Sequence, residues 1–217
     1  MPENKVWIFA NGVLPETTSL KAMIHSGDWL VAVDGGYRLM KTLGLKPELV
    51  IGDLDSLSEA ELAEIQAAMI PVQRFPVEKD EIDLELAINA ALDRGKQPLR
   101  IAGSLGGRLD QMIANLALLA RPDLASLDVR LEDGETEAWI IHKESTVTGK
   151  PGELVSLLPM GVPAYGVTTE GLKYPLHNET LYPYRTRGIS NVLTGEEARV
   201  KITDGAVLCI HIRSARA

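Results

Sequence analysis

Residues 29–36 (WLVAVDGG) and 49–56 (LVIGDLDS) share one pattern, a short apolar run followed at once by glycine and aspartate. Such runs are typical of strands that are buried on both faces of a parallel sheet. Residues 6–9 (VWIF) and 99–102 (LRIA) repeat the run, and a glycine follows each within three residues. Because ligands bind beyond the carboxyl ends of parallel strands, these polar turns are predicted to lie together at one edge of a sheet.

Segments of helical period separate these strands. Ser58 and Glu61 have the spacing of a capping box at the start of a helix, and apolar residues at 84, 87, 88 and 91 form one helical stripe. A third helix is predicted from about Leu109 to Ala120, and a further strand at residues 72–75. Strands that alternate with helices predict a parallel sheet with helices on its faces.

The helical period ends near Asp133, and short strand-like segments separated by Gly, Pro and Asn follow. The predicted strands are residues 137–141, 154–158, 198–202 and 206–210. Two domains are therefore expected, an α/β domain over residues 1–133 and a small antiparallel sandwich or barrel over residues 134–217.

The composition narrows the classes of partner. The chain has 22 Lys and Arg against 30 Asp and Glu, a formal net charge of −8, which disfavours non-specific binding to nucleic acid or anionic lipid. Apolar runs are too short for a membrane span, and the start of the sequence lacks the features of a signal peptide. With one cysteine, Cys209, no internal disulfide is possible. A cytoplasmic protein without a nucleic-acid or membrane partner is expected.

Carboxylates and glycines recur after the predicted strands. Asp53 and Asp55 are two residues apart, so in an extended chain both point to the same side, at a spacing suited to one hard cation. Asp80 and Asp83 are three apart and are expected to share the first turn of a helix. Glycines let backbone amides approach a phosphate closely. The edge is therefore interpreted as a metal–phosphate site, although each element alone is also explained as an ordinary turn, helix start or surface charge.

Several familiar nucleotide-binding and catalytic motifs are missing from the sequence. It contains neither a P-loop nor the dinucleotide-binding glycine fingerprint, and it has no Gly-x-Ser-x-Gly nucleophile elbow. Its four histidines are scattered singly, without the spacing of a zinc protease. Covalent hydrolysis is therefore disfavoured.

The ordered set of motifs resembles the thiamine pyrophosphokinase (thiamin diphosphokinase) family along nearly the whole chain. The matching segments are residues 34–36 (DGG), 52–56 (GDLDS), 79–83 (KDEID), 106–111 (GGRLDQ), 171–176 (GLKYPL) and 187–191 (RGISN). The resemblance implies a Rossmann-like parallel-sheet domain that binds nucleotide and Mg²⁺, followed by a β-sandwich that binds thiamine and mediates dimerisation. It implies transfer of pyrophosphate from ATP to the thiamine hydroxyl, with release of AMP. It also implies a homodimer that holds thiamine between one subunit's α/β domain and its partner's β-sandwich.

The resemblance also implies a role for individual residues. The implied magnesium ligands are Asp53, Asp55, Asp80 and Asp83. The implied nucleotide and phosphate contacts are Asp34, Gly35, Gly36, Asp53, Arg108 and Asp110. The implied thiamine contacts are Asp83, Ser190 and Asn191. Asp83, Lys79 and Arg108 are the expected catalytic residues, the first near the acceptor hydroxyl and the two cations offsetting phosphate charge.

The sequence departs from the family pattern at three places. Ile82 stands where many relatives have threonine, Gln111 where bacterial members often have histidine, and Val192-Leu193 where animal members have a tryptophan that stacks on thiamine. Two alternatives are left open at this point. One is a kinase or pyrophosphokinase of another small alcohol, and the other is a binding module that holds a nucleotide or thiamine phosphate without turnover.

Overall fold

The computed structural model describes residues 4–14, 18–95 and 97–213. Residues 1–3, part of the segment used to judge the absence of a signal peptide, lie outside this range. The chain divides into two compact units, one of Met1–Leu118 with Ser126–Gly134 and one of Leu119–Ala125 with Glu135–Ala217.

The first unit contains a parallel sheet, which confirms the expectation from its alternating strands and helices. Its strands are β1 (Val6–Phe9), β2 (Trp29–Val33), β3 (Leu49–Gly52), β4 (Val72–Arg74), β5 (Leu99–Ala102) and β6 (Val129–Glu132). The order is β4-β3-β2-β1-β5-β6, and every neighbouring pair is parallel. The order reverses direction between β1 and β5, which is the position where open α/β sheets bind their ligands.

Within the described ranges, helices lie between these strands: α1 (Thr18–Ala22), α2 (Gly36–Thr42), α3 (Glu59–Ala67), α4 (Asp83–Arg94) and α5 (Leu109–Leu118). The capping box that Ser58 and Glu61 predict at the start of α3 is present, with both reciprocal hydrogen bonds. The predicted stripe of α4 is buried at Leu84, Ala87, Ile88 and Ala91. α5 differs, because its apolar residues stay at least partly accessible and Asn115 is its buried residue.

The second unit is built from antiparallel strands and a short 3-10 helix at Pro122–Leu124. The strands are β7 (Thr136–Ile141), β8 (Glu144–Thr148), β9 (Leu154–Pro159), β10 (Ala164–Glu170), β11 (Glu179–Leu181), β12 (Asn191–Val192), β13 (Glu197–Lys201) and β14 (Val207–Ile212). They pair in the orders β12-β9-β14-β7 and β11-β10-β13-β8. Buried residues from both groups form one hydrophobic cluster, including Ile141 and Val155 from the first and Val167 and Val200 from the second.

A buried cluster of charged side chains crosses the second unit. His211 on β14 is fully buried, with its Nδ1 atom 3.1 Å from Glu137 Oε1 and its Nε2 atom 2.8 Å from Glu153 Oε2. A neutral imidazole carries one N–H, so only the imidazolium form donates to both glutamates. The Arg213 guanidinium lies 3.2 Å from Glu137 Oε2, and the Lys150 N–H donates to Glu153 Oε2. This cluster ties β14 to β7 and to the turn before β9.

Every helix among the described residues falls short of the length and apolar character that crossing a membrane requires.

Candidate active site

The loops after the central strands of the first unit enclose a cavity of about 550 Å³. It lies beside the reversal of strand order, since Gly12 follows β1, Gly103 follows β5, and both line it. The Gly12 N–H donates to the Gly103 carbonyl at 2.8 Å, and a Cβ atom on Gly12 would lie 2.2 Å from that oxygen. The two loops therefore approach each other closely because Gly12 has no side chain. Charged and amide side chains line the cavity at Asn11, Asp34, Asp53, Asp55, Lys79, Glu81, Asp83, Arg108, Gln111 and Asn115.

Three aspartates from three different elements meet in this cavity. Asp34 follows β2, Asp53 follows β3 and Asp83 is the first residue of α4. One carboxylate oxygen from each lies within 4.8 Å of the other two. Two ligands about 2.1 Å from one Mg²⁺ stand at most about 4.2 Å apart. Small side-chain rotations therefore suffice for these three carboxylates to share an ion, and hard carboxylate oxygens are the ligands that Mg²⁺ prefers.

The backbone around the triad adopts conformations that hold Asp34 in place. Asp34 and Leu54 have φ values of +45° and +68°, a left-handed region that is costly for residues other than glycine. The Leu54 N–H donates to Asp34 Oδ1 at 3.0 Å. A Cβ atom on Gly52 would lie 1.9 Å from the same oxygen. The Asp34 carboxylate therefore packs directly against the turn that carries Asp53.

Lys79 brings a positive charge to two members of the triad. Its Nζ atom lies 3.0 Å from Asp83 Oδ1 and 3.5 Å from Asp53 Oδ2, and it also donates to the Pro76 carbonyl. About a tenth of the Lys79 side chain is exposed, so the ammonium is partly desolvated. Within the described part of the chain, Asp83 Oδ1 accepts no well-aligned hydrogen bond. That oxygen is buried, and its ion-pair partner is the Lys79 ammonium.

The pKa values of the aspartates follow from burial and from this crowding. Burial raises the pKa of Asp34 to about 7, against the lowering effect of the Leu54 N–H, and the nearby Asp83 and Asp53 carboxylates raise it further. Burial also pushes the pKa of Asp53 upward, but the Asp55 N–H and the Lys79 ammonium outweigh it and leave the pKa lowered. The Asp53 carboxylate raises the pKa of Asp55. Crowding of this kind is what a bound cation relieves.

Two local expectations about these aspartates are wrong. The chain is not extended from Asp53 to Asp55, because Leu54 has a positive φ and the Asp55 N–H folds back to donate to Asp53 Oδ1 at 3.0 Å. Asp80 and Asp83 do not share a helical turn, because α4 begins at Asp83 and its N-cap is Ile82. Asp55 is exposed but lines the cavity, whereas Asp80 is exposed and lies outside the cavity lining.

The other residues predicted to contact nucleotide or phosphate lie at or near the cavity. Gly35 is the N-cap of α2 and Gly36 its first residue, so both follow Asp34 directly. Arg108 lines the cavity, and its Nη2 atom lies 2.5 Å from Asp110 Oδ2. Both side chains are largely exposed. The guanidinium lowers the pKa of Asp110. Such a surface pair contributes little to stability, so Arg108 can exchange it for a phosphate at low cost.

The two predicted thiamine contacts lie in the second unit and differ in exposure. Ser190 is exposed and has φ +54°, while Asn191 is buried. The Asn191 amide is bonded to the backbone: its Oδ1 atom accepts from the Tyr174 and Val192 N–H groups, and its Nδ2 atom donates to the Tyr174 carbonyl. One Nδ2 hydrogen is left over for another acceptor. Asn191 therefore fastens the Tyr174 segment to β12.

Asn115 belongs to the cavity although no motif predicts it. It is buried, lines the cavity, and donates from Nδ2 to the Ser104 carbonyl at 3.0 Å, which holds the loop after β5. The signal in the sequence is a single amide within an otherwise apolar stretch of α5, at residues 112–118 (MIANLAL). A polar side chain inside such a stretch usually has a partner in the fold.

The fold and the cavity define a class of protein. A parallel sheet with a carboxylate triad, a lysine and glycine-rich turns at its switch point is characteristic of an α/β enzyme that handles phosphate groups. The family model for "Thiamin pyrophosphokinase, catalytic domain" matches residues 20–131, and the model for its vitamin B1 binding domain matches residues 140–207. The chain belongs to the thiamin pyrophosphokinase family, whose members are enzymes that transfer pyrophosphate from ATP to thiamine.

Individual relatives and solved structures agree with this assignment. The chain is 28% identical over 190 residues to the thiamine pyrophosphokinase of Bacillus subtilis, covering 83% of this chain and 85% of the relative. The crystal structure of the Bacillus subtilis enzyme superposes with a TM-score of 0.88 at 26% identity, over 98% of this chain and 100% of the other. The crystal structure of a thiamin pyrophosphokinase family protein from Enterococcus faecalis superposes with a TM-score of 0.84 at 27% identity, over 98% of this chain and 100% of the other. The match of both domains favours the thiamine enzyme over a kinase of another alcohol or a binding module.

Proposed function

We propose that this chain catalyses Mg²⁺-dependent transfer of the β,γ-pyrophosphoryl group of ATP to the hydroxyl oxygen of thiamine, with release of AMP. The observation that carries the proposal is the meeting of Asp34, Asp53 and Asp83 beside Lys79, in the cavity of the unit matched by the catalytic-domain model. In this reaction the hydroxyl oxygen bonds to the β-phosphorus, and the bond from that phosphorus to the bridging oxygen of AMP breaks.

Asp34, Asp53 and Asp83 are the residues that would hold Mg²⁺, with Asp55 at the rim of the same cavity as a further ligand, direct or through water. Asp34 replaces Asp80 in the ligand set that family resemblance implies, because Asp80 lies outside the cavity lining. When bound, the ion supplies positive charge to phosphate oxygens and fixes their orientation.

The remaining steps fall to the side chains of the chain itself. Phosphoryl transfer depends mostly on positioning and on offsetting the charge of phosphate oxygens. Lys79 is held in the cavity by two carboxylates, and Arg108 reaches it from the rim, so both are assigned to phosphate oxygens. Asp83 is assigned to the thiamine hydroxyl, as the family resemblance implies; it orients this hydroxyl and accepts its proton.

Each unit is assigned its own substrate contacts in this proposal. Asp34, Gly35 and Gly36 border the nucleotide, and Asp110 releases Arg108 when a phosphate arrives. In the second unit Ser190 contacts thiamine directly, while Asn191 shapes the site through its bonds to Tyr174 and offers one remaining N–H.

The finer architecture belongs to the same proposal. The strand order with its reversal between β1 and β5 supports a Rossmann-like domain, and one buried cluster shared by two antiparallel groups of strands supports a β-sandwich. We assign residues 1–133 to nucleotide and Mg²⁺ binding and residues 134–217 to thiamine binding and dimerisation. Because the donor is ATP, we place the enzyme in the cytoplasm, where ATP is abundant.

We also propose a homodimer, in which α5 of the first unit adds an apolar contact surface to the dimerisation assigned to the second unit. Leu109 is 65% exposed and Ile113 is 57% exposed, one helical turn apart, on a helix whose apolar residues are only partly covered. Apolar stripes of this kind mark interaction surfaces. Analytical ultracentrifugation is expected to show a dimer. Ile113→Ser is expected to raise the dissociation constant of the dimer by about 10-fold or more. Met69→Ser, at an exposed methionine elsewhere, should leave that constant unchanged. A wild-type monomer at assay concentrations would contradict this.

Removal of the metal tests the proposed ligand set. Chelation with EDTA is expected to abolish product formation, and added Mg²⁺ is expected to restore it. Asp53→Asn is expected to weaken Mg²⁺ binding by about 10-fold or more, measured by calorimetry on the protein alone. Asp93→Asn, an exposed aspartate near the far end of α4, is the matched control and should bind Mg²⁺ like the wild type. Full activity in EDTA, or equal binding by both variants, would contradict the ligand assignment.

A further inference from the structure

An arginine outside the cavity is bonded to the turn that carries two of its aspartates. Arg38 lies on α2, and its NH2 group donates to the Ser56 carbonyl at 2.5 Å. Ser56 ends the segment Asp53–Ser56 that follows β3 and lines the cavity. Arg38 is absent from the cavity lining, and its bond to Ser56 links it to this segment, here called the aspartate turn.

The guanidinium of Arg38 is itself held in a fixed orientation. Its NH2 group donates to Glu61 Oε2 at 2.7 Å, and its Nε atom lies 2.5 Å from Glu61 Oε1, so the pair is bidentate. Glu61 is 15% exposed and also accepts from the N–H and hydroxyl of Ser58 in the capping box of α3. The bond to Arg38 is the first of the causes that lower the pKa of Glu61 to about 2. Glu61 is thus ionised at neutral pH and carries the charge that pairs with Arg38.

The aspartate turn needs such an anchor because its backbone is strained. Leu54 has φ +68°, and its N–H is bonded to Asp34 Oδ1, which secures the first half of the turn. Arg38 secures the second half through the Ser56 carbonyl. A residue held in a sparsely populated backbone region persists only where surrounding contacts determine it. With both anchors in place, Asp53 and Asp55 face the cavity.

We infer that Arg38 is a positioning residue for the reaction: it fixes the aspartate turn in the conformation that presents Asp53 and Asp55 to the metal and phosphates. Only arginine fits this role, because its planar fork donates at once to a backbone carbonyl on one element and a carboxylate on another. A lysine at this position keeps the charge but is a point donor. The effect on catalysis rests on the proposed function. The anchoring of the aspartate turn by Arg38 rests only on the observed hydrogen bonds.

The chain offers a matched control on the same two helices. Lys41 lies one turn further along α2, and its Nζ atom is 2.5 Å from Glu64 Oε2 on α3. Lys41→Met therefore removes one positive charge and one α2–α3 ion pair, as Arg38→Met does, without touching the aspartate turn. Both pairs have an exposed basic partner, so each substitution is expected to change overall stability only slightly.

Amide hydrogen exchange measures the anchoring directly, with no metal or substrate present. Arg38→Met is expected to speed exchange in peptides covering residues 53–57 by about 10-fold or more, while Lys41→Met and the rest of the sheet exchange like the wild type. Equal exchange of residues 53–57 in Arg38→Met and wild type would overturn the inference whatever the enzyme's activity.

Kinetics then test the consequence for catalysis. Arg38→Met is expected to lower kcat about 10- to 100-fold and to raise the Mg²⁺ concentration needed for half-maximal rate, with the KM for thiamine little changed and only partial rescue in Arg38→Lys. If Arg38→Met lowers kcat no more than Lys41→Met does, the positioning role is overturned. If the wild type itself forms no thiamine diphosphate, the proposed function fails, and with it the catalytic role, while the exchange result still decides whether Arg38 holds the turn.

Discussion

Asp83→Asn is expected to lower turnover by about 10²-fold or more and to leave the fold intact. The substitution keeps the size and shape of the side chain but removes the negative charge and the lone pair that would take the hydroxyl proton. Asp83 is the first residue of α4 and contacts Lys79, so its removal also loosens the ammonium that faces the phosphates. The measurement is the steady-state rate at saturating ATP, thiamine and Mg²⁺.

Asp93→Asn supplies the control for Asp83→Asn, since it makes the same chemical change at an exposed position on the same helix. It should retain the wild-type rate within about 2-fold. A thermal melt of both variants checks that each is folded. If Asp83→Asn loses less than a few fold in rate, Asp83 is neither base nor ligand, and the assignment of the acceptor hydroxyl to this residue is wrong.

His211→Leu is expected to reduce the free energy of unfolding by about 3–5 kcal/mol, the usual cost of leaving buried charges without their partner. His211 is fully buried between Glu137 and Glu153, which are themselves almost fully buried. Leucine fills a similar volume but donates no hydrogen bond, so both carboxylates lose their bond to the ring, and Glu137 is left with the Arg213 guanidinium. Urea denaturation followed by circular dichroism measures the loss.

His177→Leu, at an exposed histidine of the same unit, should change the unfolding free energy by less than about 0.5 kcal/mol. A combined variant tests the cause, because adding Glu153→Gln to His211→Leu removes the buried carboxylate that has lost its side-chain partner and is expected to recover part of the loss. A loss below about 1 kcal/mol in His211→Leu would show that the cluster contributes little to stability.

The elements that sequence predicts well are those with a local signal. The capping box at Ser58 and Glu61 specifies the start of α3 through contacts three residues apart, and the stripe on α4 specifies the buried face of that helix. The apolar runs at β1, β2, β3 and β5 are found where expected, and the polar turns after them line one cavity. Their convergence follows from the rule for parallel sheets rather than from any single motif.

Local sequence patterns do not predict which three aspartates form the carboxylate triad. Asp34 and Asp83 are 49 residues apart and meet Asp53 only through tertiary structure. Leu54 has a positive φ, which a leucine in the sequence does not indicate. The prediction of an extended chain from Asp53 to Asp55 is therefore wrong. Asp80 precedes α4 because the helix begins without a side-chain cap at Ile82, which sequence rules do not favour.

Several strands escaped prediction for a physical reason as well. β6 (Val129–Glu132) alternates apolar and charged residues, so it lacks the continuous apolar run that identifies β1, β2 and β3 in the sequence. β10 (Ala164–Glu170) contains Gly166 at φ +63° and a register irregularity against β11, and these features interrupt the simple alternation of a strand. Such strands are defined by their pairing partners more than by their own residues.

The most direct test of the central claim is to incubate the purified protein with ATP, thiamine and Mg²⁺ and to separate the nucleotides and thiamine species by chromatography. The proposed function predicts AMP and thiamine diphosphate in equal amounts, with neither formed when Mg²⁺ is omitted. ADP together with thiamine monophosphate would contradict pyrophosphoryl transfer, and a folded protein that consumes no ATP would contradict the enzymatic role.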